Sequence, residues 1–226
     1  ARESLQRGER ALAKKQLAEF IMQHPESEAA WMLMAQVVET KKQKMDCYER
    51  AIKINPNVPI QNLDELPFPD LSLTKLYAYN GYYVKSLPVA TVMGTRGCPF
   101  RCTFCDQFAT MGREFRFRSP KNIVDEIEHN HDTFGVRDFV FKDSTFTCIK
   151  PWVYDICKEI VNRKLRINWS CNTRVSMVDE PMLKAMKEAG CYMIAFGIES
   201  GSQHVLNMMK KGTTVEQAYK AIRLCK

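Results

Sequence analysis

The chain has 226 residues, of which 45% are hydrophobic and 26% charged, and its formal net charge is +7. This composition is that of an ordinary soluble globular protein with enough residues for a sizeable core. No apolar run approaches the roughly 20 residues that would span a bilayer, so we expect no membrane contact. The chain starts without Met and lacks the order of a signal peptide, so we expect a piece cut from a longer chain.

Residues 1–58 are predicted to form a helical module. Apolar side chains recur at helical spacing in three runs, and His24-Pro25 and Asn55-Pro56 end the first and the third. These two endings lie about 31 residues apart, with Trp31 near the start of the middle run. The pattern resembles about one and a half tetratricopeptide (TPR) repeats, which would bind a protein partner. A plain helical hairpin is the alternative.

Residues 59–88 are predicted to form a linker. Pro67 and Pro69 lie close together there. Proline removes a backbone donor and disfavours a helical residue before it, so this stretch is expected to be extended.

Residues 89–226 alternate between strand-like and helix-like patterns, which predicts an α/β fold with a parallel sheet under helices. The predicted strands are residues 89–93, 139–141, 167–171 and 192–198. Helices are expected to begin after Ser119, at Pro151, after Asp179 and after Thr213, the last with a Thr213–Glu216 capping box. Ligands bind at the carboxyl ends of parallel strands, and each predicted strand ends in polar or flexible residues.

Three thiols, Cys98, Cys102 and Cys105, follow the first predicted strand with the spacing C-x3-C-x2-C. Clustered thiolates favour soft metals. Closed zinc sites and ordinary iron–sulfur sites take four protein ligands, so three thiolates leave one position open. The alternatives are a zinc knuckle completed by a distant Cys or His, or a chance cluster of buried cysteines. Thiolate chemistry favours a reducing, cytoplasmic location.

This spacing, with the aromatic Phe104 before the last cysteine, resembles the signature of the radical S-adenosylmethionine (SAM) enzymes. The resemblance implies a [4Fe–4S] cluster held by Cys98, Cys102 and Cys105, with SAM chelating the fourth iron. One electron, from a donor such as flavodoxin or ferredoxin, would cleave SAM to a 5′-deoxyadenosyl radical that acts on an unidentified substrate. The enzyme would be an oxidoreductase or a group-transfer enzyme. The implied fold is a partial (β/α) barrel, apparently truncated after about four units and preceded by the TPR-like hairpin.

The resemblance extends to three later strand ends. Asp143, in a Phe-x-Asp-x-x-Phe frame, or its backbone is expected to contact the SAM amino group. Arg174 is expected to pair with the SAM carboxylate, and Glu199 to accept hydrogen bonds from the ribose hydroxyls. The alternatives are a turn or helix cap for Asp143 and an ion pair between Arg174 and Glu199.

The stretch Leu63-Asp64-Glu65-Leu66-Pro67-Phe68-Pro69 is similar to the segment before the radical domain in the cobalamin-associated branch of these enzymes. That branch's Asp-x-His-x-x-Gly motif is missing, because none of the four histidines stands in such a context. Cobalamin is therefore not carried over to this chain.

The remaining candidates have plainer interpretations. Five further cysteines are predicted to be buried small hydrophobes, with Cys148 as a weaker candidate redox partner: Cys148, Cys157, Cys171, Cys191 and Cys225. Three basic residues after the thiols are expected to form a solvated rim: Arg113, Arg116 and Arg118. Lys210-Lys211 is expected to lie at the surface. Two other functions stay open, a catalytically inactive TPR-containing scaffold and a zinc site in a nucleic-acid binder. The modest charge and the absence of a second Cys/His pair argue against the latter, so nucleic acid is not indicated.

Overall fold

The computed structural model describes residues 1–55, 60–78 and 84–226. Within them the chain forms two compact units, Ala1–Glu65 and Leu66–Lys226. Residues 56–59 and 79–83 lie outside the described residues. They include Pro56 and residue 59, the first residue of the predicted linker. No described helix is both long enough and apolar enough to cross a membrane.

The first unit is helical, as predicted. Its helices are α1 (Arg2–Gln6), α2 (Arg10–Gln23), α3 (Glu28–Val37) and α4 (Lys41–Ile54). Gly8, with φ of 76°, separates α1 from α2, because only glycine adopts this left-handed conformation without steric cost. Ser27 caps α3, and Thr40 forms a capping box with Gln43 at the start of α4. These local signals explain the helix boundaries, whereas a TPR repeat remains a prediction.

The segment between the helices and the sheet is not extended throughout. No helix includes Pro67 or Pro69, in agreement with the prediction. The described part nevertheless contains three single turns of 3₁₀-helix, at Leu63–Glu65, Leu71–Leu73 and Leu76–Ala78. Asp70 accepts a hydrogen bond from the backbone N–H of Ser72 at 2.9 Å and thereby starts the second turn. Single turns of this kind leave little periodicity in a sequence.

The second unit has the predicted α/β alternation. Its strands are β1 (Val89–Val92), β2 (Thr95–Arg96), β3 (Arg116–Phe117), β4 (Asp138–Phe141), β5 (Asn168–Thr173) and β6 (Cys191–Phe196). Its helices are α5 (Gln107–Met111), α6 (Pro120–Phe134), α7 (Lys150–Asn162), α8 (Glu180–Glu188), α9 (Gln203–Met208) and α10 (Val215–Leu224). The sequence analysis missed the short elements β2, β3, α5 and α9.

Four strands form one parallel sheet in the order β1-β4-β5-β6, and β2 pairs with β3 in a separate antiparallel ribbon. Val92, Phe141, Cys171 and Ile194 lie side by side across the parallel sheet. The carboxyl ends of all four strands therefore meet at one edge, where an α/β fold binds its ligands.

Helix caps set the boundaries of the second unit's helices. Ser119 caps α6 ahead of Pro120, and Asp179 caps α8 by accepting from the Met182 N–H at 3.0 Å, both as predicted. The capping box of α10 was predicted one residue too early, because it is Thr214 that pairs with Gln217. Both Thr213 and Thr214 satisfy the sequence pattern, and only the backbone conformation selects between them.

The core of this unit is aromatic. Phe141, Phe146 and Trp169 are fully buried, and the Phe146 ring lies 5.3 Å from Trp169 and 4.7 Å from Phe141 between centroids. Such contacts stabilise aromatic cores beyond simple area burial. This core backs the strands whose carboxyl ends carry the candidate site.

The five additional cysteines were predicted to be buried. Cys157 and Cys171 are buried, and burial raises the pKa of Cys157 to about 12. Cys148 and Cys191 are partly exposed, and Cys225 is exposed because it follows the last turn of α10. The prediction was therefore wrong for Cys225.

Arg118 does not belong to a solvated rim. It is 8% exposed, pairs with the buried carboxylate of Glu126, and donates from Nε to Asn122 Oδ1 at 2.6 Å. Its backbone carbonyl accepts a hydrogen bond from the Trp152 indole at 2.7 Å. These contacts make Arg118 part of the packing between α6 and α7. A basic cluster in a sequence does not reveal that one of its members has a buried counter-ion.

Candidate functional site

The three predicted thiols lie on one loop, residues 98–105, which we term the cluster loop. Gly97 precedes it with φ of 84°, and a Cβ there would lie 2.0 Å from the Glu114 carbonyl oxygen. The Cys98 N–H donates to the Gly112 carbonyl at 3.2 Å, and the Thr103 N–H donates to the Met209 carbonyl at 2.9 Å. The loop is thus held by its backbone, while its three thiols remain partly exposed.

All seven predicted site residues line a single cavity of about 430 Å³ at the carboxyl edge of the sheet: Cys98, Cys102, Phe104, Cys105, Asp143, Arg174 and Glu199. This volume falls within the range of small-molecule sites. The lining also includes residues that were not predicted as site residues, among them Gln107 and Lys211. Gln107 lies on the short helix α5 and accepts a hydrogen bond from the Ser144 hydroxyl at 2.8 Å. Helix α5 has only five residues, too few to show helical periodicity in the sequence, so the sequence analysis did not predict Gln107 as a site residue.

The buried side chain of Asp143 links the segment after β4 to residues Gly94 and Thr95 at this edge. It is 1% exposed, and its carboxylate accepts a hydrogen bond from the Thr95 hydroxyl at 2.5 Å and one from the Gly94 N–H at 3.4 Å. Desolvation by burial raises the pKa of Asp143 in spite of these hydrogen bonds. The carboxylate is directed at the β1–β2 connection, so a ligand contact by the side chain is not favoured. Its backbone remains the candidate for the SAM amino group.

Arg174 joins the cluster loop to the end of β5. Its Nη1 donates to Cys102 Sγ at 3.4 Å, its Nη2 donates to the backbone carbonyl of Lys211, and its guanidinium lies 3.8 Å from the centroid of Phe100. Its Nε is buried and has no hydrogen-bond partner among the described residues. A buried donor without a partner is costly, so the described residues leave the Arg174 guanidinium incompletely satisfied.

Glu199 pairs with Lys211 rather than with Arg174. Lys211 Nζ lies 2.7 Å from Glu199 Oε1, and the Lys211 side chain is only 7% exposed. The prediction of a surface position for Lys211 was therefore wrong, and so was the alternative of an ion pair between Arg174 and Glu199. Neighbouring Lys210 is exposed, and nothing in the sequence distinguishes the two lysines.

Gly197 leaves space for this ion pair. A Cβ at Gly197 would lie 2.9 Å from Glu199 Oε1 and 3.0 Å from Lys211 Nζ. Glu199 itself has φ of 66°, a conformation that costs energy for a residue with a side chain. Strand β6 ends at Phe196 rather than at residue 198 as predicted, so Glu199 lies in the turn that follows the strand. The turn after β6 instead brings the carboxylate back over Gly197.

Cys148 lies in the 3₁₀-turn after β4, Phe146–Cys148. The pKa of the Cys148 thiol is raised, mainly by burial and to a smaller extent by the nearby Cys98. A raised pKa disfavours the thiolate, the form that binds metals and reacts as a nucleophile. The described geometry gives Cys148 no role in the cavity.

The cavity fits an iron–sulfur cluster with a polar organic ligand better than a single metal ion. Among the described residues, no three Cys, His, Asp or Glu side chains converge on a point that could hold one metal ion. Three thiols on one loop can instead each bind a separate iron of a cluster. The unpartnered Arg174 Nε and the carboxylate of Glu199 supply a donor and an acceptor beside them.

The fold and the site define an α/β domain with a three-cysteine cluster loop at the carboxyl edge of its sheet. Residues 92–226 match the family model described as the radical SAM superfamily. The chain belongs to the radical SAM superfamily. This membership supports both predicted cofactors, SAM and a [4Fe–4S] cluster, and the α/β fold of partial-barrel type.

Two curated relatives have similar sequences. An uncharacterized methyltransferase of Pyrococcus horikoshii is 36% identical over 171 residues, which cover 76% of this chain and 37% of the relative. The anaerobic magnesium-protoporphyrin IX monomethyl ester cyclase of Rubrivivax gelatinosus is 36% identical over 170 residues, which cover 74% of this chain and 30% of the relative. The chain thus spans about a third of the length of these relatives.

Two solved structures resemble the chain. The radical SAM methyltransferase TsrM from Kitasatospora setae, with tryptophan and a SAM analogue bound, has a TM-score of 0.56 and 25% identity, covering 61% of this chain and 28% of TsrM. Another TsrM structure contains cobalamin and a [4Fe–4S] cluster. The cobalamin-dependent SAM radical enzyme OxsB has a TM-score of 0.51 and 28% identity, covering 60% of this chain and 22% of OxsB.

Proposed function

We propose that this chain is the cofactor-binding part of a radical SAM enzyme that cleaves SAM reductively and acts on an organic substrate. The observation that carries the proposal is the convergence of three thiols, Arg174 and Glu199 on one cavity. These residues come from positions up to 101 apart in the sequence, between Cys98 and Glu199. A chance cluster of cysteines would not require charged partners from two other strand ends.

Cys98, Cys102 and Cys105 would hold the [4Fe–4S] cluster by three of its irons. When bound, the cluster would supply one electron to SAM, whose reductive cleavage yields a 5′-deoxyadenosyl radical. The protein's own contribution is to bind, orient and exclude water. The phenyl ring of Phe104 lines the cavity and is 49% exposed, so it would cover only one side of the bound cluster.

Arg174 and Glu199 would orient SAM. The guanidinium of Arg174 lines the cavity and contacts Cys102 and Lys211, and it would pair with the SAM carboxylate. The Glu199 carboxylate lines the same cavity and would accept from the ribose hydroxyls. The Asp143 backbone would face the amino group. These roles follow the family resemblance and agree with the donors and acceptors that each residue has left.

The reaction class that we favour is group transfer, with oxidoreduction as the second candidate. Several relatives are named as methyltransferases, and others as cyclases. The substrates of these relatives are not carried over to this chain, because substrate residues need not lie in the third of the relatives that this chain matches. The Asp-x-His-x-x-Gly motif does not occur in the sequence, so no residue here is assigned to cobalamin.

The proposal includes a reductant, such as flavodoxin or ferredoxin, and a protein partner for the helical unit. A net charge of +7 would favour the approach of an acidic electron donor. The helical unit has a groove of about 700 Å³ whose lining includes Arg10, Lys14, Lys15 and Lys44, which would suit an acidic segment of a partner. All nine cysteines are free thiols, which fits a reducing cytoplasm. A catalytically inactive scaffold is the less favoured alternative, because it does not explain the polar cavity.

The deciding experiment is anaerobic reconstitution with iron and sulfide, followed by EPR of the reduced protein with and without SAM. We expect a [4Fe–4S] signal that changes on addition of SAM, because SAM would ligate the open iron. The Cys102→Ala variant should lose the signal, and the matched Cys225→Ala variant, at an exposed thiol distant in sequence, should retain it. A cluster that is indifferent to SAM would instead favour the scaffold.

A further inference from the structure

Lys211 occupies an unusual position for a lysine. It lies in the turn between α9 and α10, residues 209–212, which we term the 209–212 turn. Lys211 is 6% exposed, although lysine side chains are almost never fully buried unless they are paired. Its ammonium faces the cavity that holds the three thiols. A cation in such a place needs both a partner and an explanation.

The 209–212 turn contacts three of the segments that line the cavity: the cluster loop, the end of β5 and the turn after β6. The Met209 carbonyl accepts from the Thr103 N–H of the cluster loop at 2.9 Å. The Lys211 carbonyl accepts from the Arg174 guanidinium at the end of β5. Lys211 Nζ binds Glu199 Oε1 after β6 at 2.7 Å and lies 5.5 Å from the centroid of Phe104. A single residue therefore contacts both charged groups that the proposed function assigns to SAM.

The backbone explains why the ion pair can form. The Lys211 N–H donates to the Leu206 carbonyl at 3.0 Å, and Gly212 follows with φ of 67°. Together they fix the turn so that the lysine points towards the sheet, while exposed Lys210 precedes it. On the other side, Gly197 lacks the Cβ that would meet both charged ends of the pair. Both partners are thus presented to each other by local backbone geometry.

We propose that Lys211 is a positioning residue that holds the carboxylate of Glu199 in the orientation required to accept the ribose hydroxyls of SAM. The inference rests on the proposed function. A carboxylate has two oxygens and several lone pairs, so Oε1 can remain on the ammonium while the second oxygen accepts from a ligand. Without the ammonium, the Glu199 side chain would rotate towards water, since it is 32% exposed.

The test is a double-mutant cycle on the anaerobically reconstituted chain, with the Kd of SAM measured by equilibrium dialysis. We expect Lys211→Met and Glu199→Gln each to raise the Kd about tenfold, and the double variant to be no weaker than the worse single variant, because coupled residues are not additive. Lys211→Arg should recover part of the affinity. The matched control is Lys210→Met, which should leave the Kd unchanged.

Each outcome bears on the inference. A Lys211→Met Kd within about twofold of wild type, or a double variant whose loss equals the product of the two single losses, would overturn it. Cluster content and far-UV circular dichroism identify misfolded variants, and if Lys211→Met fails to load a cluster the cycle is run with Lys211→Gln. A wild-type chain that loads a cluster but does not bind SAM would overturn the proposed function as well. Wild-type binding with an indifferent Lys211 would overturn only this inference.

Discussion

The hydroxyl of Thr95 donates a hydrogen bond of 2.5 Å to the carboxylate of Asp143, and both residues are buried. This contact joins β2, which precedes the cluster loop, to the segment that follows β4, although 48 positions separate the two residues in the sequence. A shift of Asp143 would therefore move the loop that carries the three thiols. The following predictions test this and other contacts around the cavity.

The first prediction concerns the pH dependence of Asp143. Its folded pKa is raised above the ordinary 3.8, so its stabilising contribution is complete below 3.8 and is lost as the pH rises through the folded pKa. Asp143→Asn should therefore lower the free energy of unfolding more at about pH 4.5 than at about pH 7. Urea denaturation at both pH values measures this difference.

Asp179→Asn serves as a control with the opposite sign. The hydrogen bond with Lys150 and the one from the Met182 N–H lower the pKa of Asp179, so its contribution is present above 3.8 and is lost as the pH falls. The cost of this substitution should be larger near neutral pH. The same trend for both variants would contradict the assignment for Asp143.

The second prediction concerns Gly97, at the start of the cluster loop. Gly97→Ala should abolish cluster assembly, because the new Cβ would lie 2.0 Å from the Glu114 carbonyl oxygen, a backbone atom that cannot move aside cheaply. The measurement is the iron and sulfide content after reconstitution. Gly112→Ala is the matched control, since Gly112 also has a positive φ of 75° but no atom within 4 Å of a new Cβ.

Gly112 has φ of 75° and ψ of 177°, a conformation nearly restricted to glycine. The Gly112 variant carries only this conformational cost, about 1–3 kcal/mol, and should still assemble the cluster. If both variants assemble clusters equally well, the close approach of Gly97 to Glu114 does not control the loop.

The third prediction concerns Gly197 and separates folding from ligand binding. A Cβ there meets only the far ends of two flexible side chains, Glu199 and Lys211, so Gly197→Ala should fold and load a cluster. It should nevertheless weaken SAM binding about tenfold or more, because the displaced ion pair would enter the cavity. Gly201→Ala is the control, since a Cβ at Gly201 meets nothing within 4 Å. Unchanged SAM affinity in Gly197→Ala would show that the ion pair can move without affecting the site.

The fourth prediction concerns the buried pair of Arg118 and Glu126, whose side chains are 10% and 2% exposed. Glu126→Gln should lower the free energy of unfolding by about 3 kcal/mol, because it leaves a buried guanidinium without a counter-charge. The exposed pair of Glu180 and Lys184 supplies the control, and Glu180→Gln should cost much less, because water screens an exposed ion pair. Similar losses in thermal and urea unfolding for both variants would show that Arg118 is solvated after all.

Local patterns along the chain were enough to predict the α/β alternation, most helix boundaries and the three thiols. These depend on information that is local in the chain: side-chain periodicity, N-caps such as Ser119 and Asp179, and the spacing of Cys98, Cys102 and Cys105. The seven predicted site residues also line one cavity, because parallel strands bring their carboxyl ends to the same edge. The family assignment followed from the same short motif.

The pairing of the charged groups could not be predicted from the sequence pattern and is known from the tertiary structure alone. Lys210 and Lys211 are identical in the sequence, yet one is exposed and the other forms an ion pair with Glu199, because the 209–212 turn directs only the second towards the sheet. The same holds for Arg118, which found a buried carboxylate, and for Asp143, which faces Thr95. These counter-ions lie 8 and 12 positions away in the chain, outside the spacing of a single helical turn, and no local pattern records which partner folding will supply.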